Sequence, residues 1–137
     1  MDGMKRLILS IAAACAALTA PAAASSQALE GRWANPHKSV IVNVAKCGAA
    51  YCGTVSWASA RNRQKVAADG RQLIGMRILT DLRPQGGGVY KGRALEPKRN
   101  ISGSATVTQI SNDVMVVKGC AIGGFLLCKE QRWTRVS

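Results

Sequence analysis

Residues 39–58 read SVIVNVAKCGAAYCGTVSWA, and this stretch decides the fold. Its first half alternates in the manner of a half-buried strand, which predicts one shared face for Val40, Val42 and Val44. Its second half has the same two-residue period and predicts one face for Tyr51, Gly53, Val55 and Trp57. The segment between them, residues 47–52, has the composition of a turn. The stretch therefore predicts two neighbouring antiparallel strands.

The rest of the chain repeats this pattern. Short runs rich in Val, Ile, Thr, Trp and Tyr alternate with glycine-containing turns, and no helical stripe is sustained. Six further strands are expected, at residues 29–33, 73–82, 89–95, 105–110, 114–120 and 126–136. Eight such strands predict one all-β domain, a small antiparallel up-and-down barrel, with a two-sheet sandwich as the alternative. Residues 59–71 are expected to form a long basic loop with at most one helical turn, and residues 97–104 a second irregular connection.

The N-terminal segment has the three parts of a secretory signal peptide. Lys5 and Arg6 precede an apolar run at residues 7–20, and small residues follow Pro21. The run is too short for a transmembrane helix. We expect cleavage after Ala24, or alternatively after Ala28, so residues 1–24 would be removed and residues 25–137 would form a single domain without a transmembrane segment. Cys15 would be lost with the signal, lipidation being the less favoured alternative.

Four cysteines remain after cleavage: Cys47, Cys52, Cys120 and Cys128. An even number in a short exported chain indicates a disulfide framework, and three pairings are open to four cysteines. Each sequential pair flanks a turn between strand ends, so we expect Cys47–Cys52 and Cys120–Cys128. The crossed pairings, which would tie two hairpins together, remain the alternative. A zinc site is disfavoured because the spacing of the second pair is long for one.

The charge of the chain restricts its partners. From Ser25 onward there are 17 Lys and Arg residues against 6 Asp and Glu residues, a net charge of +11. Such a surplus attracts anions. In an exported protein we expect an anionic envelope component or a small amphipathic ligand rather than nucleic acid.

No motif indicates catalysis. His37 is the single histidine, lies in an expected turn, and has neither a G-x-S-x-G sequence nor an obvious acidic partner. The six acidic residues are scattered, and the Gly86–Gly88 triplet lacks the Lys-Ser/Thr of a phosphate loop. We therefore expect neither an enzyme nor a bound metal or cofactor.

Two aromatic motifs open and close the expected barrel. Trp33 lies on the first strand, and Trp133 and Arg135 share a face of the last. Closing a barrel brings these strands together, so an arginine above an indole ring is expected at one end. Their expected role is structural.

Several of these motifs together resemble one family. They are G-x-W at 31–33, C-G-x-x-Y-C-G at 47–53, L-x-G-x-x-I-L at 73–79, and C-x-x-Q-x-W-T-R-V at 128–136. In this order they resemble the DUF2147 family of exported bacterial proteins, whose function is unknown. The resemblance implies a lipocalin-like, calycin-type barrel with a structural corner at Gly31, Trp33 and Arg135. It implies no active site.

Two functions follow as expectations. The first is a periplasmic or secreted binding module that holds an apolar or amphipathic anionic molecule in the barrel. Its cup would be lined by Tyr51, Trp57, Met76 and Tyr90, and its rim by Arg61, Arg63, Lys65 and Arg77. The second is a structural or protein-interaction domain of the cell envelope with a filled barrel.

Overall fold

The computed structural model describes residue 15 and residues 28–122 and 126–136. The expected signal peptide and the cleavage site after Ala24 lie outside the described residues, apart from Cys15, which is exposed and unpaired.

Eight antiparallel strands form a closed barrel in which each strand pairs with its sequence neighbours and the last pairs with the first. The strands are β1 (Gly31–Ala34), β2 (Val40–Cys47), β3 (Ala50–Ala58), β4 (Arg77–Gly86), β5 (Val89–Glu96), β6 (Ile101–Gln109), β7 (Val114–Ile122) and β8 (Leu126–Val136). This arrangement confirms the predicted up-and-down barrel. The sandwich alternative was wrong, because every strand belongs to one closed sheet.

Three connections differ from the prediction. Residues 59–71 contain a two-turn helix, α1 (Ala60–Ala67), which begins where the Ser59 hydroxyl accepts a hydrogen bond from the Asn62 amide. Strand β4 begins at Arg77 rather than residue 73, because Leu73 and Met76 close a tight turn that needs the positive φ of Gly75. Strand β6 already begins at Ile101, so most of the expected irregular connection at 97–104 is strand.

The barrel has two distinct ends. At the helix end lie α1 and the β1–β2, β5–β6 and β7–β8 connections. At the arginine end lie the β2–β3, β4–β5 and β6–β7 turns together with the start of β1 and the end of β8, where Arg135 is located.

Helix α1 closes the helix end of the barrel. Val66 is fully buried in the hydrophobic core, and Asn62 is 8% exposed. The Asn62 side-chain amide donates to the carbonyl of Ser39 in the β1–β2 connection at 3.4 Å. The other side chains of the helix are exposed, and its basic residues are among them.

The arginine end is closed by Arg135. Its guanidinium donates to the backbone carbonyls of Asn112 at 2.6 Å, Glu30 at 2.6 Å and Ala28 at 3.0 Å. It also lies 4.3 Å above the ring centroid of Trp33. Gly31 is required beside it, since its φ of 134° is unfavourable for other residues and a Cβ there would collide with the guanidinium. Gly31, Trp33 and Arg135 thus lie in contact at this end, and their structural role stays a prediction.

The interior of the barrel is filled with apolar side chains. Trp33, Val42, Leu82, Val107 and Met115 are all fully buried in one continuous cluster. Trp133 completes it, 7% exposed, opposite Met115 in the β7–β8 register. The wall also curls tightly: a Cβ on Gly92 would lie 2.5 Å from the carbonyl oxygen of Thr80. The barrel therefore has an interior packed with bulky side chains. A filled barrel is the one expected for a structural or protein-interaction domain.

The two disulfides join Cys47 to Cys52 and Cys120 to Cys128, as predicted. The first closes the β2–β3 hairpin at the arginine end. The second joins directly opposed residues of β7 and β8 toward the helix end. Each end of the barrel therefore has one covalent crosslink within a hairpin.

Candidate functional site

Three of the four expected cup residues fill the barrel. Tyr51 and Tyr90 are half-buried and meet edge to face, with ring centroids 5.6 Å apart and planes at 89°. Burial, and then the neighbouring Tyr51, raise the pKa of the Tyr90 phenol above its usual range. Met76 is also half-buried and packs against the core. These side chains pack against the core while remaining partly exposed, and their role in binding stays a prediction.

The face predicted for Trp57 was wrong. A β-bulge sets Trp57 opposite Ile41 and Val55 opposite Val42, which leaves Ser56 as an extra residue in β3. The bulge reverses the alternation, so Ala58 points into the core and the Trp57 side chain is 44% exposed. Trp57 is therefore the accessible indole of this chain, because Trp33 and Trp133 are buried.

The expected rim residues do share one region. Arg61, Arg63 and Lys65 lie on the outward side of α1 and are all exposed. Arg77 is the first residue of β4 and is exposed on the barrel wall at the same end. Helix α1 contains no acidic residue, so its outward side carries only positive charge.

Folding adds basic residues that the sequence did not single out. Lys38 lies in the β1–β2 turn, Lys98 and Arg99 in the β5–β6 turn, and Lys129 near the start of β8, all of them exposed. Glu96 lies among them, but its carboxylate accepts from the Arg99 amide at 2.7 Å. The helix end consequently holds a concentration of positive charge.

Arg71 ties two parts of the helix end together. It contacts the Asp69 carboxylate at 2.8 Å and donates to the carbonyl of Pro97 in the β5–β6 turn at 2.7 Å. The hydrogen bond from Arg71 is the main reason why the pKa of the Asp69 carboxyl is lowered. The third guanidinium nitrogen of Arg71, Nη1, is buried without a partner among the described residues. Arg71 thus connects the segment after α1 to the β5–β6 turn.

Exposed apolar side chains are concentrated at the helix end as well. Five large ones are exposed in the described part of the chain, and Trp57, Ile74, Ile101 and Leu127 all lie toward this end. The fifth, Ile110, lies at the arginine end. Ile101 lies in the connection that the sequence predicts at residues 97–104, but it is the first residue of β6. Leu127 is the second residue of β8, so both lie near strand starts at the edge of the packed interior.

Depressions of the described surface lie at both ends of the barrel. A depression of about 290 Å³ lies beside α1 at the helix end, lined by Arg63, Ala67, Arg71, Gln72, Leu73 and Ile74. Another, of about 260 Å³ at the arginine end, is bordered by Tyr90, Gln109 and Ile110 among others. Only the first combines apolar side chains with arginines. The helix end is therefore the candidate functional site.

His37 and the acidic residues, of which the sequence predicts no catalytic or metal-binding role, are spread over the described structure. His37 is exposed in the β1–β2 turn. Across residues 28–122 and 126–136, no three His, Cys, Asp or Glu residues are grouped closely enough to hold a metal ion. The same residues contain no helix with the length and hydropathy of a membrane span.

The comparisons with known proteins give one match. No curated protein and no solved structure matches the chain. The family model described as an uncharacterized protein conserved in bacteria (DUF2147) matches residues 31–135, which run from the glycine under Arg135 to Arg135 itself. With this match spanning the whole barrel, the chain belongs to the DUF2147 family.

Proposed function

We propose that this chain is an exported, non-catalytic domain that binds anionic components of the bacterial cell envelope at its helix end. The observation that carries the proposal is the co-location of basic and apolar exposed side chains at this end, outside a filled barrel. The proposal moves the ligand expected inside the barrel to its outer surface. The two disulfides support a periplasmic or secreted location, because such bonds persist in oxidising compartments.

Charge and shape both favour this end. Arg61, Arg63 and Lys65 extend from one short helix without a neighbouring carboxylate on it. The depression beside them offers an apolar floor at Leu73 and Ile74. An anionic group would meet the basic side chains, while an attached apolar chain would cover the floor. A site with both basic and apolar side chains suits an amphiphile better than a simple inorganic anion.

The test uses lysophosphatidylglycerol as a soluble anionic amphiphile and lysophosphatidylcholine as its zwitterionic counterpart, each below its micelle concentration. Calorimetry on the exported protein should show binding of the first and much weaker binding of the second. The triple variant Arg61→Glu, Arg63→Glu, Lys65→Glu should abolish it. A matched triple on the barrel wall, Lys91→Glu, Arg93→Glu, Lys118→Glu, changes the net charge equally and should retain most of it. Equal losses in both triples, or no binding by the unaltered protein, would refute the proposal.

A further inference from the structure

We propose that the helix end seats on the surface of an anionic phospholipid bilayer, with Trp57, Ile101 and Leu127 entering the headgroup region. This inference rests on the proposed function and names its partner as a lipid surface rather than a single soluble molecule. The exposed fractions of these three side chains are 44%, 45% and 60%. Soluble proteins tolerate scattered exposed apolar residues, but their concentration at one end of a barrel indicates a contact surface.

The apolar side chains belong to separate parts of the helix end. Ile74 lies beside β3, because Gly75 donates to the carbonyl of Val55 at 2.8 Å and the Val55 amide donates to Met76 at 2.9 Å. Leu127 is opposite Ala121 in the β7–β8 hairpin, beyond the last β6–β7 pair at Ser104 and Cys120. Leu127 therefore lies close to the helix-end limit of the β7–β8 pair, and its side chain is exposed there.

Basic residues lie close in the sequence to these apolar residues. Arg61, Arg63 and Lys65 follow Trp57 along the chain, Lys98 and Arg99 precede Ile101, and Lys129 follows Leu127. Each apolar residue thus has a cation within a few positions. A lysine or arginine near an anionic membrane surface contributes about 1 kcal/mol of attraction, and apolar side chains add to it by entering the interface. Separated apolar side chains among many cations match a lipid surface better than the contiguous apolar core of a protein interface.

Among the described residues, the opposite end of the barrel has one large exposed apolar side chain, Ile110, and fewer basic side chains. The acidic residues Glu30, Asp81 and Asp113 lie there, and Arg83 is paired with Asp81 at 2.9 Å. Arg135 donates to three backbone carbonyls. This asymmetry gives the molecule a direction, in which the helix end faces the lipid and the arginine end faces away.

Trp57 reports the contact directly, because the other two tryptophans of the chain are buried. Tryptophan fluorescence of the exported protein is recorded with vesicles of phosphatidylglycerol and phosphatidylcholine, and with vesicles of phosphatidylcholine alone. We expect a blue shift with the anionic vesicles, quenching by lipids brominated high on the acyl chain, and reversal at high salt. Trp57→Phe should remove the shift without preventing co-sedimentation.

Two serine variants separate apolar insertion from charge attraction. The double variant Ile101→Ser, Leu127→Ser should lower the affinity for anionic vesicles by about tenfold or more, because two exposed aliphatic side chains no longer leave water. Ile110→Ser, an equally exposed residue at the arginine end, should leave the affinity unchanged. Circular dichroism of each variant confirms folding, and the wild-type fluorescence result needs no variant.

The outcomes distinguish this inference from the proposed function. Binding of lysophosphatidylglycerol at the helix end without any blue shift on anionic vesicles would overturn the bilayer contact alone. Equal losses in the Ile101/Leu127 and Ile110 variants would overturn it too. Failure of every anionic probe to bind would overturn both proposals.

Discussion

The two ends of this barrel are closed by different means. At the arginine end, Arg135 donates hydrogen bonds to main-chain carbonyls of the segment before β1 and of the β6–β7 turn. At the helix end, the closing element is a short basic helix anchored by Val66 and Asn62. The first end unites the strands that complete the barrel. The second presents side chains to the solvent. The proposed binding surface therefore lies at the end opposite the contact that joins the first and last strands.

The largest expected effect is at the arginine end. Arg135→Ala removes three hydrogen bonds and the contact with Trp33, and we expect it to lower the free energy of unfolding by about 3–4 kcal/mol, counting about 1 kcal/mol for each hydrogen bond because the guanidinium is partly exposed. Arg132→Ala, on the exposed outer face of the same strand, should change it by less than about 0.5 kcal/mol. Urea denaturation of both variants is the measurement. Similar losses in the two would contradict the special role of Arg135.

The two disulfides, one toward each end of the barrel, should contribute different amounts to the free energy of unfolding. Replacing Cys47 and Cys52 by serine frees a short loop and also buries a hydroxyl, because Cys52 is 6% exposed. We expect a loss of about 3–4 kcal/mol. Replacing Cys120 and Cys128 should cost only the chain-entropy contribution, about 2–3 kcal/mol, since Cys128 is exposed. Thermal denaturation of the two double variants tests this order, and the reverse order would argue against it.

A smaller loss is expected where α1 meets the core. Val66→Ala removes two buried methyl groups and should lower the free energy of unfolding by about 2 kcal/mol. Because Val66 is the apolar anchor of the helix, amide exchange should accelerate across α1 more than in β5 or β6. Ala67→Ser, at the neighbouring exposed position, is the control and should leave exchange in α1 nearly unchanged. Uniform acceleration across the barrel would show that α1 does not open independently.

The smallest expected effect on stability comes from the ion pair between Asp69 and Arg71. The folded-state pKa of Asp69 is lowered, so its contribution to stability is present above the usual carboxyl pKa and is lost as the pH falls through the lowered value. Carboxyl NMR titration should give a pKa below the ordinary range in the wild type. Arg71→Gln should return it toward that range, whereas Arg77→Gln should not move it. An unchanged pKa in the Arg71 variant would mean that this contact does not persist in solution.

Much of the barrel was predictable because its signals are local. The alternation of Val40, Val42 and Val44 sets the inward face of β2, and the turn at residues 47–52 sets the hairpin. The pairing of Cys120 with Cys128 follows from the same hairpin logic. These features depend on residues that are close in the sequence. The two-residue alternation of apolar side chains predicts such local features well.

The helix and the bulges were not predictable in the same way. Helix α1 buries only Asn62 and Val66, so its sequence contains no apolar stripe, and the Ser59 cap was its one local signal. The bulge at Ser56 that exposes Trp57 depends on the register with β2. The left-handed backbone of Asp81, with a φ of 52°, similarly interrupts β4. Such features arise from closing the sheet, and therefore the candidate site was foreseen only in its basic residues.

The position of Arg135 has a consequence for how the barrel folds. Its partners Glu30 and Ala28 lie 105 and 107 residues earlier in the chain. A contact between residues so distant in the sequence requires a long loop to close, which slows its formation. We therefore expect the pairing of β1 with β8 to be among the last steps of folding.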